Sequence, residues 1–137
     1  MARARSGRIV AALALIAAIG PWSVSSPSIL AAAVTWPPSA LVVSEVQTGG
    51  ASASDEFVEI ANQGAGPVDL AGLEVVYATS SGSTVTRKAT WIASTILETG
   101  RRVLIANAAG SYAAAADGTY AGGFAATGGA VSLRVVG

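Results

Sequence analysis

The sequence predicts an all-β protein folded as a small β-sandwich. Short runs of apolar and β-branched residues recur after residue 40, and clusters of glycine, serine and asparagine separate them. This part of the chain lacks the sustained 3.6-residue apolar period of a long amphipathic helix. The chain has 137 residues, which is room for one domain. Together these observations favour several short strands packed as a sandwich.

The N-terminal segment has the order of a secretory signal peptide. Three arginines lie within the first eight residues, an apolar run follows at 9–20, and small residues close the segment at 31–33. The apolar run is shorter than the roughly 20 residues of a bilayer span. We therefore expect a signal peptide helix within residues 1–33, cleavage after Ala33 and a linker at 34–40. An uncleaved signal anchor is the alternative, and it would be the protein's one attachment to the membrane.

Residues 55–62 (Asp-Glu-Phe-Val-Glu-Ile-Ala-Asn) predict an inner strand with which the other strands pair or pack. Side chains alternate along a strand, so Val58 and Ile60 fall on one face and Phe57 and Glu59 on the other. Glycine, asparagine and proline follow at once and predict a turn.

The sandwich domain is expected to span residues 41–137, with its first strand at 41–46. The polar loop at 47–54 is long for a tight hairpin, so the strands that it joins need not be neighbours. The loop is rich in glycine, but neither a Lys-Ser/Thr pair nor a helix follows it, which argues against a phosphate-binding loop.

The later strands are predicted from apolar or β-branched runs between turn formers. They lie at 68–70, 73–78, 83–91, 101–106 and 130–136. The alanine-rich stretch at 107–116 predicts one helical turn around Tyr112. Arg87 and Lys88 are interpreted as solvated charges on an edge strand, which would block pairing with another sheet.

Composition excludes several kinds of chemistry. The chain contains no cysteine and no histidine, so it lacks disulfides, thiolates and the commonest general base and metal ligand. Five basic and eight acidic residues follow residue 33, which gives this part of the chain a net charge of −3. A negative domain without a basic patch is not expected to bind nucleic acid.

Asp55, Glu56 and Glu59 allow two interpretations. They are either a metal-binding or acid–base group, or charges on the edge and solvent face of a strand. No histidine or cysteine joins them, and three carboxylates are crowded into five positions of one strand. We therefore favour the second interpretation.

Five motifs, taken in order, resemble the lamin-tail domain, an immunoglobulin-like sandwich found in nuclear lamins and in many secreted bacterial proteins. They lie at 42–46, 55–62, 68–73, 97–105 and 128–133. The resemblance implies an immunoglobulin-like β-sandwich over nearly the whole segment after the signal peptide. The motif residues to which it assigns a structural role are Glu45, Asp55, Glu56, Phe57, Val58, Glu59, Asn62, Leu70, Gly72 and Gly100.

The sequence departs from the family pattern at three places. Leu73 stands where an aromatic residue is usual, and Thr99 stands where proline is common. The late strand at 130–136 is normally followed by another strand, whereas the sequence stops at Gly137. We expect a truncated sequence rather than a sandwich that lacks an edge strand.

The resemblance implies a non-catalytic binding or structural module of an exported or cell-surface protein, with no cofactor. The alternative is an accessory domain of a longer secreted hydrolase or nuclease whose catalytic part lies beyond Gly137. The expected partner is a protein or a cell-envelope ligand. The loops at 47–54 and 107–117 are the candidate contact surfaces.

Two catalytic arrangements and one metal site were weighed against this function. Lys88 is the one lysine available for a Ser–Lys dyad, and Glu45 with Glu59 would be a carboxylate pair for glycoside hydrolysis. A sandwich of about 100 residues seldom supplies the necessary cleft. Asp55, Glu59 and Asp69 offer hard oxygen ligands for calcium, but they lack the alternate spacing of a calcium loop.

Overall fold

The computed structural model describes residues 37–137. The predicted signal peptide helix at 1–33 and residues 34–36 of the predicted linker lie outside the described residues. Within them, the chain forms nine strands and one short 3-10 turn, Ala113–Ala115. In chain order the strands are β1 (Leu41–Thr48), β2 (Glu56–Asn62), β3 (Val68–Asp69), β4 (Leu73–Thr79), β5 (Val85–Thr90), β6 (Ile96–Leu97), β7 (Arg102–Asn107), β8 (Gly118–Tyr120) and β9 (Gly129–Val135).

The strands form two main sheets and one small one. The first sheet has the order β1-β2-β7-β8, and it is antiparallel except for the parallel pair β7–β8. The second sheet has the order β5-β4-β9 and is antiparallel throughout. β3 and β6 pair with each other beside them. The predicted all-β class is confirmed, and the sheets fit an immunoglobulin-like sandwich.

The core lies between the central strands of the two main sheets. Val58 and Ile60 of β2 and Val75 of β4 are completely buried there. The opposite face of β2 is also covered, because the Phe57 ring meets the Tyr112 ring edge-on with 4.9 Å between centroids. Tyr112 belongs to the segment with the predicted helical turn, and this segment packs onto the sheet. β2 is therefore the inner strand that its sequence predicts.

Two predicted turns depend on glycine. Gly72 and Gly100 have φ values of 78° and 72°, a region that side chains with a Cβ rarely enter. Gly72 leads into β4, while Gly100 precedes β7 and donates its N–H to the backbone oxygen of Asn62.

The first hairpin differs from the prediction. β1 continues through Thr48, which pairs with Glu56, so β1 and β2 are direct antiparallel neighbours. The reason is local, since the Gln47 side chain donates a hydrogen bond to the backbone oxygen of Asp55 across the opening of the hairpin. The connecting loop is thus shorter than predicted.

β5 contains a bulge that changes where its charges point. Val75 pairs with Ala89 and Val76 with Arg87, which leaves Lys88 as the extra residue. Lys88 is only 6% exposed and faces the interior of the sandwich. The prediction of solvated charge was therefore wrong for Lys88, although β5 is an edge strand as expected.

Candidate functional site

Asp55 fastens two loops to the start of β2. Its carboxylate accepts hydrogen bonds from the backbone N–H groups of Ser52 and Ser111, each at 2.8 Å. These bonds, led by that from Ser111, hold the pKa of Asp55 below its ordinary value. The predicted role as solvent-face charge is therefore wrong, because backbone donors at the end of the strand draw the carboxylate inward.

Glu56 joins three parts of the fold from a buried position. Its carboxylate accepts hydrogen bonds from the Asn107 amide at 3.1 Å and from the Phe124 N–H at 2.8 Å. Only 2% of Glu56 is exposed. The predicted role as edge charge is wrong here as well, because the chain between β8 and β9 folds over the side chain.

Lys88, which belongs to the three-stranded sheet, also binds the segment between β8 and β9. The lysine Nζ donates to the backbone oxygens of Gly122 at 2.9 Å and Gly123 at 3.3 Å. It also lies 4.6 Å from the Tyr120 ring centroid and 5.3 Å from that of Phe124, distances at which a cation is attracted to a ring face. Burial lowers the pKa of Lys88, and the charge of Glu56 opposes that effect.

A third buried carboxylate lies on the outer face of the three-stranded sheet. Glu74 of β4 is fully buried and lies between two arginines, accepting from Arg87 on one side and from Arg134 at 2.7 Å on the other. Burial alone would raise the pKa of Glu74, but the two arginines together lower it. The side chains of both arginines remain about half exposed.

Asn62 and Asp69 act as local connectors. The Asn62 amide donates to the backbone oxygens of Gly66 and Leu97, at 2.9 and 2.8 Å. Asp69 accepts from the backbone N–H groups of Ala71 and Thr95, both at 2.9 Å, and these bonds lower the pKa of Asp69. Both side chains therefore satisfy turn backbone rather than facing a ligand.

A groove of about 840 Å³ opens on the side of the sandwich where β5, β6 and β8 lie. Apolar residues from different elements line it, including Leu97, Val103 and Ile105, all of which are buried core residues. Tyr120 also lines the groove, and burial raises the pKa of its hydroxyl above the ordinary value, aided by the charge of Glu56. The core is thus reachable from the surface at this groove.

Polar residues and exposed apolar residues frame the groove. Arg87 lines it on the β5 side and Asp117 on the β8 side. Ile96 also lines it and is 53% exposed, and the nearby Ile92 is 94% exposed. The groove therefore combines apolar residues with many polar ones, which include Arg87, Thr90 and Asp117.

Comparison with known proteins decides the family. A model of the Lamin Tail Domain matches residues 35–135. The chain belongs to the lamin tail domain family. No curated protein matches the sequence.

The lamin tail domain family is one of binding or structural immunoglobulin-like domains. In this lamin tail domain, Asp55, Glu56, Asn62 and Asp69 all use their polar atoms on the protein's own backbone or side chains. The other motif residues are apolar core residues, turn glycines or strand residues of the β1–β2 pair, namely Phe57, Val58, Leu70, Gly72, Gly100, Glu45 and Glu59.

The structure also places the residues weighed for catalysis and calcium. Glu45 and Glu59 are register neighbours, but Ser44 and Arg102 bind Glu59, at 2.7 and 3.3 Å. Neither glutamate lines the groove. Among residues 37–137, no three acidic, histidine or cysteine side chains cluster as a metal site would require. In the same range, no helix has the length and hydropathy of a membrane span.

The two loops expected to contact a partner pack against each other. Gln47 bonds the Tyr112 hydroxyl at 3.2 Å, and Asp55 bonds the Ser111 N–H. Sequence reasoning missed the groove, because its lining comes from separate strands and no single motif marks it. The available signal was Ile92 and Ile96, two large apolar residues in a polar stretch without strand alternation.

Proposed function

We propose that this lamin tail domain is a non-catalytic binding module of an exported or cell-surface protein, and that it binds its partner in the groove beside β5, β6 and β8. The observation that carries the proposal is the groove itself. The exposed Ile96 and the half-buried Trp91 line it, so a partner can bury apolar surface there without unfolding the domain.

The exposed apolar residues support the same surface. Ile92 and Ile96 lie close together in the sequence and are exposed to solvent, so with the groove they add to the apolar surface that a partner could cover. Trp91, which lies between β5 and Ile92 in the sequence, also lines the groove and is half-buried. An aromatic residue at the centre of such a surface is typical of a strong interface contact.

Two further features bear on the kind of partner and on its location. The net charge of −3 after residue 33 disfavours nucleic acid, so the partner is a protein or a cell-envelope ligand. The order of charge, apolar run and small residues at 1–33 supports export. The absence of histidine and cysteine, and the structural use of the buried carboxylates, support a non-catalytic role.

The test uses two matched surface variants and the purified protein. Ile96→Asp places a charge in the groove, whereas Val85→Asp places one at an edge-strand residue of similar exposure, 51% against 53%, outside the groove. Binding to cell envelopes from the source organism is measured by co-sedimentation, with circular dichroism confirming that both variants fold. We expect Ile96→Asp to bind at least about tenfold more weakly, since a charge must be desolvated there.

Val85→Asp should bind like the unchanged protein. Equal binding by Ile96→Asp would contradict the assignment of the groove. Export is tested separately by N-terminal sequencing of the protein recovered from the medium or the envelope, where the first residue should be Val34. Recovery of the protein solely from the cytosol would contradict export.

A further inference from the structure

We propose that the partner is an extended polypeptide segment that adds as a strand to the open edge of β8. Its alternate side chains would rest on the apolar residues of the groove. This inference rests on the proposed function, because it names the ligand class of the same groove.

The first argument is the number of strand edges that meet at the groove. Within residues 37–137, β5 pairs with β4 only, β6 with β3 only, and β8 with β7 only. Residues from all three edge strands line the groove. An edge strand presents N–H and C=O groups along its outer side, and an extended peptide is the ligand whose backbone matches that row.

The second argument selects β8 among the three. The bulge at Lys88 breaks the register of β5 and turns a charged side chain inward, two features that discourage strand addition. β6 has only two residues. β8 keeps an unbroken register with β7 from Gly118 to Tyr120, and the Tyr120 oxygen accepts the Ala108 N–H on the β7 side, so the backbone groups of Thr119 point outward.

The third argument is the composition of the surfaces that such a strand would meet. Gly118 at the start of β8 lies against the core, since a Cβ there would be 3.4 Å from Ile105 Cδ1. A strand on that edge would turn one face toward Leu97, Trp91 and Ile96, all of which line the groove. This predicts apolar side chains at alternate positions of the partner, because strand side chains alternate between faces.

The charge on the β5 side of the groove, opposite β8, predicts one further feature of the partner, which is an acidic side chain. Arg87 lines the groove and shares the buried carboxylate of Glu74 with Arg134, which is not a lining residue, so the three side chains carry a net charge of +1. Arg87 gives its Nε–H to Glu74, and a guanidinium has further donors on its terminal nitrogens. A partner with one acidic side chain that reaches Arg87 is therefore complementary to this rim.

The experiment titrates the ¹⁵N-labelled protein with synthetic peptides and follows backbone amide shifts by NMR. The first peptide is an eight-residue chain with valine at alternate positions, threonine between them and one glutamate. The second replaces the central valine with proline, and the third replaces the glutamate with lysine. Proline removes a backbone donor and breaks strand pairing, while lysine repels Arg87.

The expected result is a set of shifts at Gly118, Thr119 and the β6 residues, with the proline peptide binding at least about tenfold more weakly than the first. The lysine peptide should bind a fewfold more weakly. Equal binding of the proline peptide, shifts located away from β8, or no binding at millimolar concentration would overturn the inference.

The failure of this inference can be told apart from the failure of the proposed function. If no peptide binds but Ile96→Asp still loses envelope binding, the groove is the binding surface and its ligand is not a polypeptide strand. If Ile96→Asp binds envelopes normally and the peptides do not bind, both proposals are wrong.

Discussion

Lys88 is buried, although its place after Arg87 on an edge strand predicts an exposed side chain. It follows an exposed arginine on an edge strand, yet the bulge in β5 turns it into the sandwich. There it supplies hydrogen bonds to Gly122 and Gly123 and a cation to the rings of Tyr120 and Phe124. One side chain thus connects the second sheet to the segment that leaves β8.

Replacing this lysine should destabilise the fold. Lys88→Met keeps much of the side-chain length but removes the charge, leaving two backbone oxygens without their donor and Glu56 without a nearby cation. We expect the free energy of unfolding to fall by about 2 kcal/mol. Urea unfolding at neutral pH measures the change.

The matched control for that variant is Arg101→Met, which removes a positive charge from an exposed residue. It should change the free energy of unfolding by less than about 0.5 kcal/mol. Equal effects of the two variants would show that Lys88 contributes no more than a surface charge.

Asp69 gives a prediction about pH. Hydrogen bonds from the backbone of Ala71 and then of Thr95 lower its pKa below the ordinary 3.8. The folded state therefore favours the ionised carboxylate, so its stabilisation is complete above the unfolded pKa and is lost as the pH falls through the folded pKa. Asp69→Asn should lower stability at about pH 7 by an amount that shrinks below about pH 3.8.

Unfolding midpoints in urea at several pH values measure this difference. Glu98→Gln is the control, because Glu98 is exposed in the turn before β7. Its effect should be small at every pH. A constant difference between Asp69→Asn and the unchanged protein from neutral to acid pH would contradict the role of the ionised carboxylate.

At the scale of elements, the loop after β7 is fitted closely to the start of β2. A Cβ on Gly110 would overlap the backbone oxygen of Ser54, whereas a Cβ on Gly66 would meet nothing within 4 Å. Gly110→Ala must therefore push the loop away from the strand, at a cost of about 2 kcal/mol. Gly66→Ala should be neutral or slightly stabilising.

Thermal or urea unfolding of the two glycine variants gives the comparison directly. The two substitutions are chemically identical, so only the local space differs. If Gly110→Ala is as stable as Gly66→Ala, the loop does not lie against β2 as the structure has it.

The alternation of apolar and polar residues predicted the strands well, but it did not predict which charged side chains are buried. Val58 and Ile60 were placed correctly because alternation is a local property of a strand. Glu56 was not, because its partners Asn107 and Phe124 lie 51 and 68 positions away and reach it only through the fold. Lys88 was misjudged because a bulge has no sequence signature and reverses the side-chain direction.

The same limit applies to the groove. Of the lining strands, β5 and β7 were predicted and β6 and β8 were not, and the meeting of three strand edges is a consequence of sheet order. Sheet order depends on connections that local pattern does not encode. The loops at 47–54 and 107–117 were chosen as contact surfaces because sandwich folds present loops at their ends, and the sequence did not indicate that these two loops pack against each other.

At the scale of the whole molecule, the polar motif residues and the groove have separate roles. Among residues 37–137, buried carboxylates, one buried lysine and two buried asparagines connect the loops and sheets. The groove is lined by apolar core residues and by edge strands that have a strand neighbour on one side only. Stability therefore depends on the buried polar residues, whereas the proposed recognition site lies at the side of the sandwich.

The measurement that tests this most directly is amide hydrogen exchange of the purified protein, followed residue by residue by NMR. The account predicts slow exchange throughout β2 and β4, which have strand neighbours on both sides. In β6 and β8, amides that point into the groove should exchange at least about 100-fold faster than those bonded to β3 and β7. Uniformly slow exchange along β6 and β8 would show that their outer edges are already paired, which would contradict an open binding groove.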